Sequence, residues 1–505
     1  MRRVPLSAAI FLLIIFAGII PGETKIRDAG SYLKKHVVTK KLPNGITVVL
    51  LNRGYTPTLA FEIAFRVGSA DESYRTIGAA HMLEHMLFKG TDRLGTKDFK
   101  KEEKILRRIE AVGETLDHLR LTSPGNVMIK SLEAELQKLQ KEESKYVINS
   151  PYDKIYTLNG GVGFNASTSR DKTGYYIELP GSKLDVWARI ESERLKKPVL
   201  REYYLERNNV IQERLMRYDS QGSGLLFEQF MATAFAAHPY RHPTIGWRSN
   251  IPYLSLKDIK EFFKTHYTPQ RMTITIVGKQ DVDETFKVIE KYFSDIPRGR
   301  DIPEIPVREP RQRGAKRVEI NFESNPWFVL GWHKPTFPAQ EDYIFDVISE
   351  VLAGGKSSRL YRKLIIEKKL ATKVSSWNGA PGARYNNMFV LFVNPRRGVK
   401  PEAVEKIIYE EIARLAKDVP EKELKRNLVK MESELVFGLQ SNKGIARLLS
   451  YYQTVFKDWR YAATYLEELR RVQPADIKKA LARYVIPANS VTGILNDSRR
   501  KKEEK

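Results

Sequence analysis

His81-Met82-Leu83-Glu84-His85 sets two histidines four residues apart, which puts both imidazoles on one face of a helix, one turn from each other. Both rings can therefore reach a single metal ion. Glu84, one residue before the second histidine, points into the same space. Two nitrogen donors with a carboxylate beside them form a minimal kit for metal-assisted hydrolysis, short of a third protein ligand. The bland reading of the same residues is two surface histidines on an amphipathic helix. Periodicity predicts that helix over 77–87, closed by Gly90 of Phe88-Lys89-Gly90-Thr91.

The rest of the chain sets the context for this stretch. With 505 residues it exceeds one ordinary core, so two to four domains are expected, and 42% hydrophobic with 29% charged content is globular. Met1-Arg2-Arg3 before the apolar run Leu6 to Ile20 reads as a signal peptide over 1–22, with an uncleaved membrane anchor as the second reading. The expected location is then exported, either periplasmic or secreted. Zero cysteines exclude disulfides, thiolate metal sites and a lipidated cysteine after the leader. The net charge of +24 admits nucleic acid, an anionic membrane surface or acidic peptides as partners. Lysines and arginines are interleaved with glutamates, however, and no basic run carries the aromatic spacing of a nucleic-acid platform. No nucleic-acid partner is expected, and a weak membrane-surface attraction is compatible with the charge.

Upstream of the histidines, Val37-Val38-Thr39 and Ile46 to Leu51 flank Asn44-Gly45 as a β-hairpin, and Thr58 to Val67 forms a third strand. Downstream, Lys101 to Leu121 and Val127 to Val147 are charge-dense helical stretches around Ser123-Pro124-Gly125-Asn126. They predict an inserted helical hairpin over 98–148, projecting from the body as a spacer or a docking arm. Strands follow at Phe164 to Thr168 and Gly174 to Leu179, then helices near 182–196, 200–218 and 223–236. A Pro- and Arg-rich stretch without periodicity makes 301–316 a linker. Asp258-Ile259-Lys260 precedes Pro269 and a strand, and Asp476-Ile477-Lys478 precedes Pro487 and a strand at the same offsets. This repeat predicts an α+β protein of two homologous domains, 35–300 and 317–497, each a mostly antiparallel sheet covered by helices, with a charged tail at 498–505. Only the first has a histidine pair.

For the third ligand, Glu206 and Glu213 lie two helical turns apart and share a face. His238 and His242 are also four apart, but two prolines in their loop spoil a rigid geometry. On spacing alone, Glu206 and Glu213 are ordinary solvated charge. The wider pattern resembles the insulinase/pitrilysin family of zinc metallopeptidases, the inverzincins, in the two-domain form similar to the mitochondrial processing peptidase subunits and their bacterial relatives. The residues that carry the resemblance are Phe65 to Glu72, His81 to His85 with Phe88 to Thr91, Asn165-Ala166-Ser167-Thr168, the Glu206/Glu213 pair and His238-Pro239-Tyr240. It implies one zinc ion per chain on His81, His85 and Glu213, with Glu84 activating water and Glu206 orienting the site. It also implies that Asn165, Ala166, Ser167 and Thr168 form the edge onto which an extended peptide substrate adds.

Two departures from the family pattern shape the expectations. Glu213 lies 128 residues after His85 (213 − 85), farther than the family places it by about the length of the 98–148 hairpin. The family's second domain supplies an Arg and a Tyr seven residues apart to hold substrate, and Ile365 and Thr372 stand there instead. Neither can do that electrostatic work. The expectation is a zinc endopeptidase acting in a chamber between two halves, paired with a paralogous subunit without zinc that carries the Arg/Tyr pair, a homodimer being the lesser reading. A catalytically silent peptide-binding or structural subunit of an envelope complex is the alternative.

Overall fold

Gly45 takes a φ of 106°, and the turn it makes with Asn44 pairs β1 (Val37–Lys41) antiparallel with β2 (Thr47–Asn52), as the Asn-Gly pair predicts. This computed structural model describes residues 29–54 and 56–499, so the expected signal peptide at 1–22 lies outside the described residues. With β3 (Thr58–Phe65), β4 (Val162–Thr168), β5 (Thr173–Pro180) and β6 (Met272–Gly278), the first sheet runs β1-β2-β6-β3-β5-β4. Only β2 and β6 pair in parallel. The apolar run in β6 is buried along its whole length, as a central strand covered on both faces requires. β4 lies at the sheet edge, with one neighbour, and so leaves one row of backbone groups without strand partners.

The second sheet repeats the plan. β7 (Lys316–Phe322), β8 (Trp327–Lys334), β9 (Ala371–Ala380), β10 (Asn387–Pro395) and β11 (Ser490–Asp497) run β7-β11-β8-β10-β9, and only β7 and β11 are parallel. The repeated helix–proline–strand unit is present in both halves. Helix Leu256–His266, the turn at Pro269 and β6 match helix Pro474–Tyr484, the turn at Pro487 and β11. The chain is thus α+β with two homologous domains.

Each domain lends the other a helix. Helix Asn442–Phe456 of the second half lies on β3 and β6, where Ile445, Ala446 and Leu449 pack against Val49, Leu51, Ala60 and Val277. Helix Gly222–Ala234 of the first half lies on β7 and β11, where Leu226, Phe230 and Met231 meet Val329, Val390, Val491 and Leu495. Gly493 makes room for this approach, since a Cβ there would stand 3.1 Å from the Phe230 ring. Burying each large side chain of this kind contributes about 1.5–3 kcal/mol. The linker is stitched to both halves: Glu304 pairs with Arg66 and Lys457, and Glu309 accepts from the backbone N–H groups of Ala236, Ala237 and His238. Among the described residues no helix is long and apolar enough to cross a membrane.

The helical hairpin exists, as Phe99–Thr122 and Met128–Glu143, but it does not project. It lies along the helix Tyr203–Arg214, which carries Glu206 and Glu213. Glu102 pairs with Arg201 at 2.7 Å with both side chains at 0% exposure. Asp117 takes both terminal nitrogens of Arg207, each at 3.0 Å. Gly113 lets Tyr204 lie flat on the hairpin, since a Cβ there would overlap the tyrosine ring. The charge density of these helices reflects buried ion pairing as well as solvation. One face of the hairpin carries carboxylates whose partners are the buried arginines Arg201, just before the neighbouring helix, and Arg207, within it.

A candidate metal centre

The histidine helix, Ala79–Met86, begins after Gly78, whose φ of 99° suits a glycine. The backbone N–H groups of Gly78 and Ala80 both donate to the Glu72 carboxylate at 2.9 Å, which caps the helix. Burial nevertheless pushes the Glu72 carboxyl well above its usual range.

Helices Ala79–Met86 and Tyr203–Arg214 face each other across the site. His81 Nε2 stands 3.7 Å and His85 Nε2 3.4 Å from the two oxygens of Glu213. Ligands around a tetrahedral zinc lie about 3.3 Å apart, given metal–ligand bonds of about 2.0–2.1 Å. The three residues are therefore spaced to hold one ion, and ligand atoms from all three lie within 4.8 Å of one another. Two imidazoles and one carboxylate also match zinc's preference for nitrogen donors with an open position for water.

A line of polar contacts supports these donors. His85 Nδ1 meets Glu206 Oε1 at 2.9 Å, which fixes the ring and leaves Nε2 facing the site. Glu206 Oε2 holds Lys89 Nζ at 2.7 Å, and Lys89 also reaches Glu202 at 3.1 Å. The backbone N–H of Glu202 donates to Glu143 on the hairpin at 2.9 Å. The hairpin is thereby wired to the metal centre. Burial opposes charge on His85, but its hydrogen bonds to Glu206 and Glu213 prevail and lift it to about 9. Burial also opposes charge on Glu206, yet His85 and Lys89 hold it down to about 2. Burial, reinforced by His85, takes His81 down to about 4, so its imidazole is neutral and able to bind a cation. With a cation in place, His85 would give up the proton that the two carboxylates hold on it.

Glu84 is half-buried, and its carboxyl is pushed up by burial although the Thr168 hydroxyl bonds to it. That contact brings the catalytic candidate to the end of the edge strand. A cavity of about 960 Å³ joins the pieces: His81, Glu84, His85, Glu206, Glu213 and the four residues Asn165, Ala166, Ser167 and Thr168 all line it. Every lining residue belongs to the first domain. Lys89, Arg217 and the segment Asn149 to Tyr152 line it too, and the sequence reading missed them. Arg217 sits one turn beyond Glu213 and pairs with it at 2.7 Å, a spacing that could have flagged it.

Other residues singled out in the sequence lie elsewhere. Ile365 is half-buried against the second domain's core, and the Thr372 hydroxyl, exposed on β9, donates to the Asn394 carbonyl. His238 Nδ1 accepts from the Tyr240 backbone, and His242 Nδ1 accepts from the Trp247 indole, so both serve local structure.

A family model described as "Insulinase (Peptidase family M16)" matches residues 47–128 and 142–247, and one described as "Peptidase M16 inactive domain" matches 253–429. "Zinc protease PqqE" of Helicobacter pylori is 28% identical over 475 residues, covering 92% of this chain and 94% of its own. A crystal structure of a protease from Helicobacter pylori superposes with a TM-score of 0.76 at 26% identity, covering 91% of this chain and 99% of that one. "Probable mitochondrial-processing peptidase subunit beta" of Arabidopsis thaliana is 21% identical, covering 88% of this chain and 75% of its own.

Proposed function

This chain belongs to the insulinase family, peptidase family M16, and on that premise we propose that it is a zinc-dependent endopeptidase acting on peptides or unfolded segments. The observation that carries the reading is the convergence of His81, His85 and Glu213 on one point beside Glu84 and the open edge of β4. Zinc held by the three residues would supply Lewis acidity and an acidified water at neutral pH. The chain's own groups do the rest. Glu84 is placed to take a proton at its carboxylate and return it to the leaving amine, and its raised carboxyl moves toward the range that such a relay needs. The backbone row of Asn165 to Thr168 offers hydrogen bonds to an extended substrate, which holds the scissile bond in register. Glu206, tied to Lys89, keeps the His85 ring oriented.

The substrate chamber would lie between the two domains, and Ile365 and Thr372 leave its second wall without the Arg/Tyr pair expected there. We therefore propose that a paralogous subunit lacking zinc supplies that pair, in an exported setting. The decisive experiment measures cleavage of quenched peptides by the zinc-loaded chain, alone and with the product of a related neighbouring gene. Cleavage that a chelator abolishes, and that rises strongly with the second subunit, is expected. Full activity from the chain alone would remove the heterodimer. No cleavage under either condition, with zinc bound, would make the chain a silent peptide-binding subunit.

A further inference from the structure

The segment that leads into the histidine helix and the turn that ends the edge strand are bonded to each other. Ser69 and Ala70 donate backbone N–H bonds to the carbonyls of Ser169 and Arg170, at 3.1 and 2.9 Å. Gly68 permits the approach, since a Cβ there would overlap the Ser169 carbonyl. On one side of this joint Glu72 anchors the helix of His81 and His85, and on the other Thr168 bonds to Glu84. The joint therefore governs the spacing between the metal donors and the strand along which a substrate would lie.

A loop of the second domain closes over the joint and holds both of its sides. From the turn between β9 and β10, Arg384 sends its guanidinium, with 1% of the side chain exposed, to Asp71 Oδ1 at 3.0 Å and the Arg66 carbonyl at 3.3 Å. Asp71 also takes Arg271 at 2.6 Å and the Gly68 N–H at 3.0 Å, so it joins the two domains at the residue before Glu72. Burial opposes its charge, yet Arg384 and Arg271 prevail and hold the carboxyl below its usual range. The main chain of the same loop takes the other side. Ala383 and Arg384 donate their N–H groups to Asp171 Oδ2 at 2.6 and 3.2 Å, and the Tyr240 hydroxyl donates to Asp171 Oδ1 at 2.6 Å. Gly382 is fitted to this turn, because a Cβ would stand 2.6 Å from Asp171 Oδ2. Burying the Arg384–Asp71 pair costs desolvation that two apolar residues would avoid. What the pair gives in return is placement, at the point where helix and strand are tied.

We propose that Arg384 is a positioning residue that acts through Asp71 to fix the histidine helix against β4. The second domain thereby sets the geometry of a metal centre to which it gives no ligand. This rests on the reading of His81, His85 and Glu213 as a zinc site. Asp171 contributes by seating the loop that carries Arg384.

The test uses the full chain. Arg384→Gln removes the charge and keeps the loop's N–H groups, and Arg271 still neutralises Asp71. Arg384→Lys returns a cation to the same place. Asp171→Asn keeps the Arg384 side chain and weakens the loop's hold on the turn. Zinc affinity is measured by competition with a chelator of known affinity, and cobalt(II) in place of zinc reports ligand geometry through its visible spectrum. Arg384→Gln is expected to weaken zinc about fivefold and to alter the cobalt spectrum, a smaller loss than for a residue that touches a ligand. Arg384→Lys should recover most of that affinity, and Asp171→Asn should shift both readings in the same direction by less. Unchanged zinc affinity and cobalt spectrum in Arg384→Gln and Asp171→Asn overturn the proposal. A lowered Tm without either change does so too, since it marks a contact that only stabilises. If Arg384→Gln fails to fold, Asp171→Asn decides. If the unsubstituted chain takes up neither metal, the zinc reading fails and the proposal with it; if all forms bind equally, the proposal fails alone.

Discussion

His85 and Glu206 are joined by a 2.9 Å hydrogen bond between the ring Nδ1 and the carboxylate Oε1. Glu206 does not reach into the ligand triangle, so its influence on a metal passes through the ring that it steers. Glu206→Ala should lower zinc affinity about 10–100-fold, the usual cost of losing such a support. Competition with a chelator of known affinity measures it. Lys89→Met, one contact farther out, should cost less. Equal losses from the two would show that Lys89 itself acts on the metal.

Glu84 touches Thr168 and not the three donors, so zinc binding and turnover should separate at this residue. Glu84→Gln keeps the size and loses the proton acceptor. One zinc per chain by metal analysis, with peptide cleavage reduced at least about 10²-fold, is the expected result. A variant that cleaves at the original rate would remove Glu84 from the mechanism.

The brace between hairpin and glutamate helix is testable by stability. Asp117→Ala would leave Arg207 charged and buried at 4% side-chain exposure, which costs about 3–5 kcal/mol. Urea unfolding followed by tryptophan fluorescence should show that loss. Replacing both residues together, Asp117→Leu with Arg207→Met, should recover most of it, because no stranded charge remains.

Glu143 gives the same brace a pH dependence. Burial lifts its carboxyl to about 7, from an unfolded value near 4.5, although the Glu202 backbone N–H bonds to it. The folded state therefore holds this proton more tightly than the unfolded chain. The stabilisation is complete below pH 4.5 and disappears as pH rises through about 7. The change amounts to a few kcal/mol, at 1.36 kcal/mol per pKa unit. Glu143→Gln should flatten the fall in Tm between pH 5 and pH 8. An unchanged pH profile would mean that another group carries it.

Much of this was legible in the residues. Asn44-Gly45 announced the first hairpin, the Asp258/Asp476 repeat announced the duplication, and the spacing of His81 and His85 announced a shared helix face. A turn pair, a repeated motif and a helical spacing are each carried by a few neighbouring residues. What could not be read were the contacts made across long stretches of chain. Glu102, Asp117 and Glu143 look like solvated charge until Arg201, Arg207 and the Glu202 backbone come round to meet them. Glu213 likewise became a metal donor by resemblance, since its spacing from Glu206 alone suits any exposed helix.

The helices exchanged between the halves have a consequence for inheritance and engineering. Either half made alone would expose the oily outer side of its sheet, so each should aggregate when expressed singly. A chain nicked between Ile305 and Glu309, by contrast, should stay assembled, and two such pieces produced together should reconstitute one particle on size exclusion. The two domains are obligate companions, a unit that recombination cannot trade by halves.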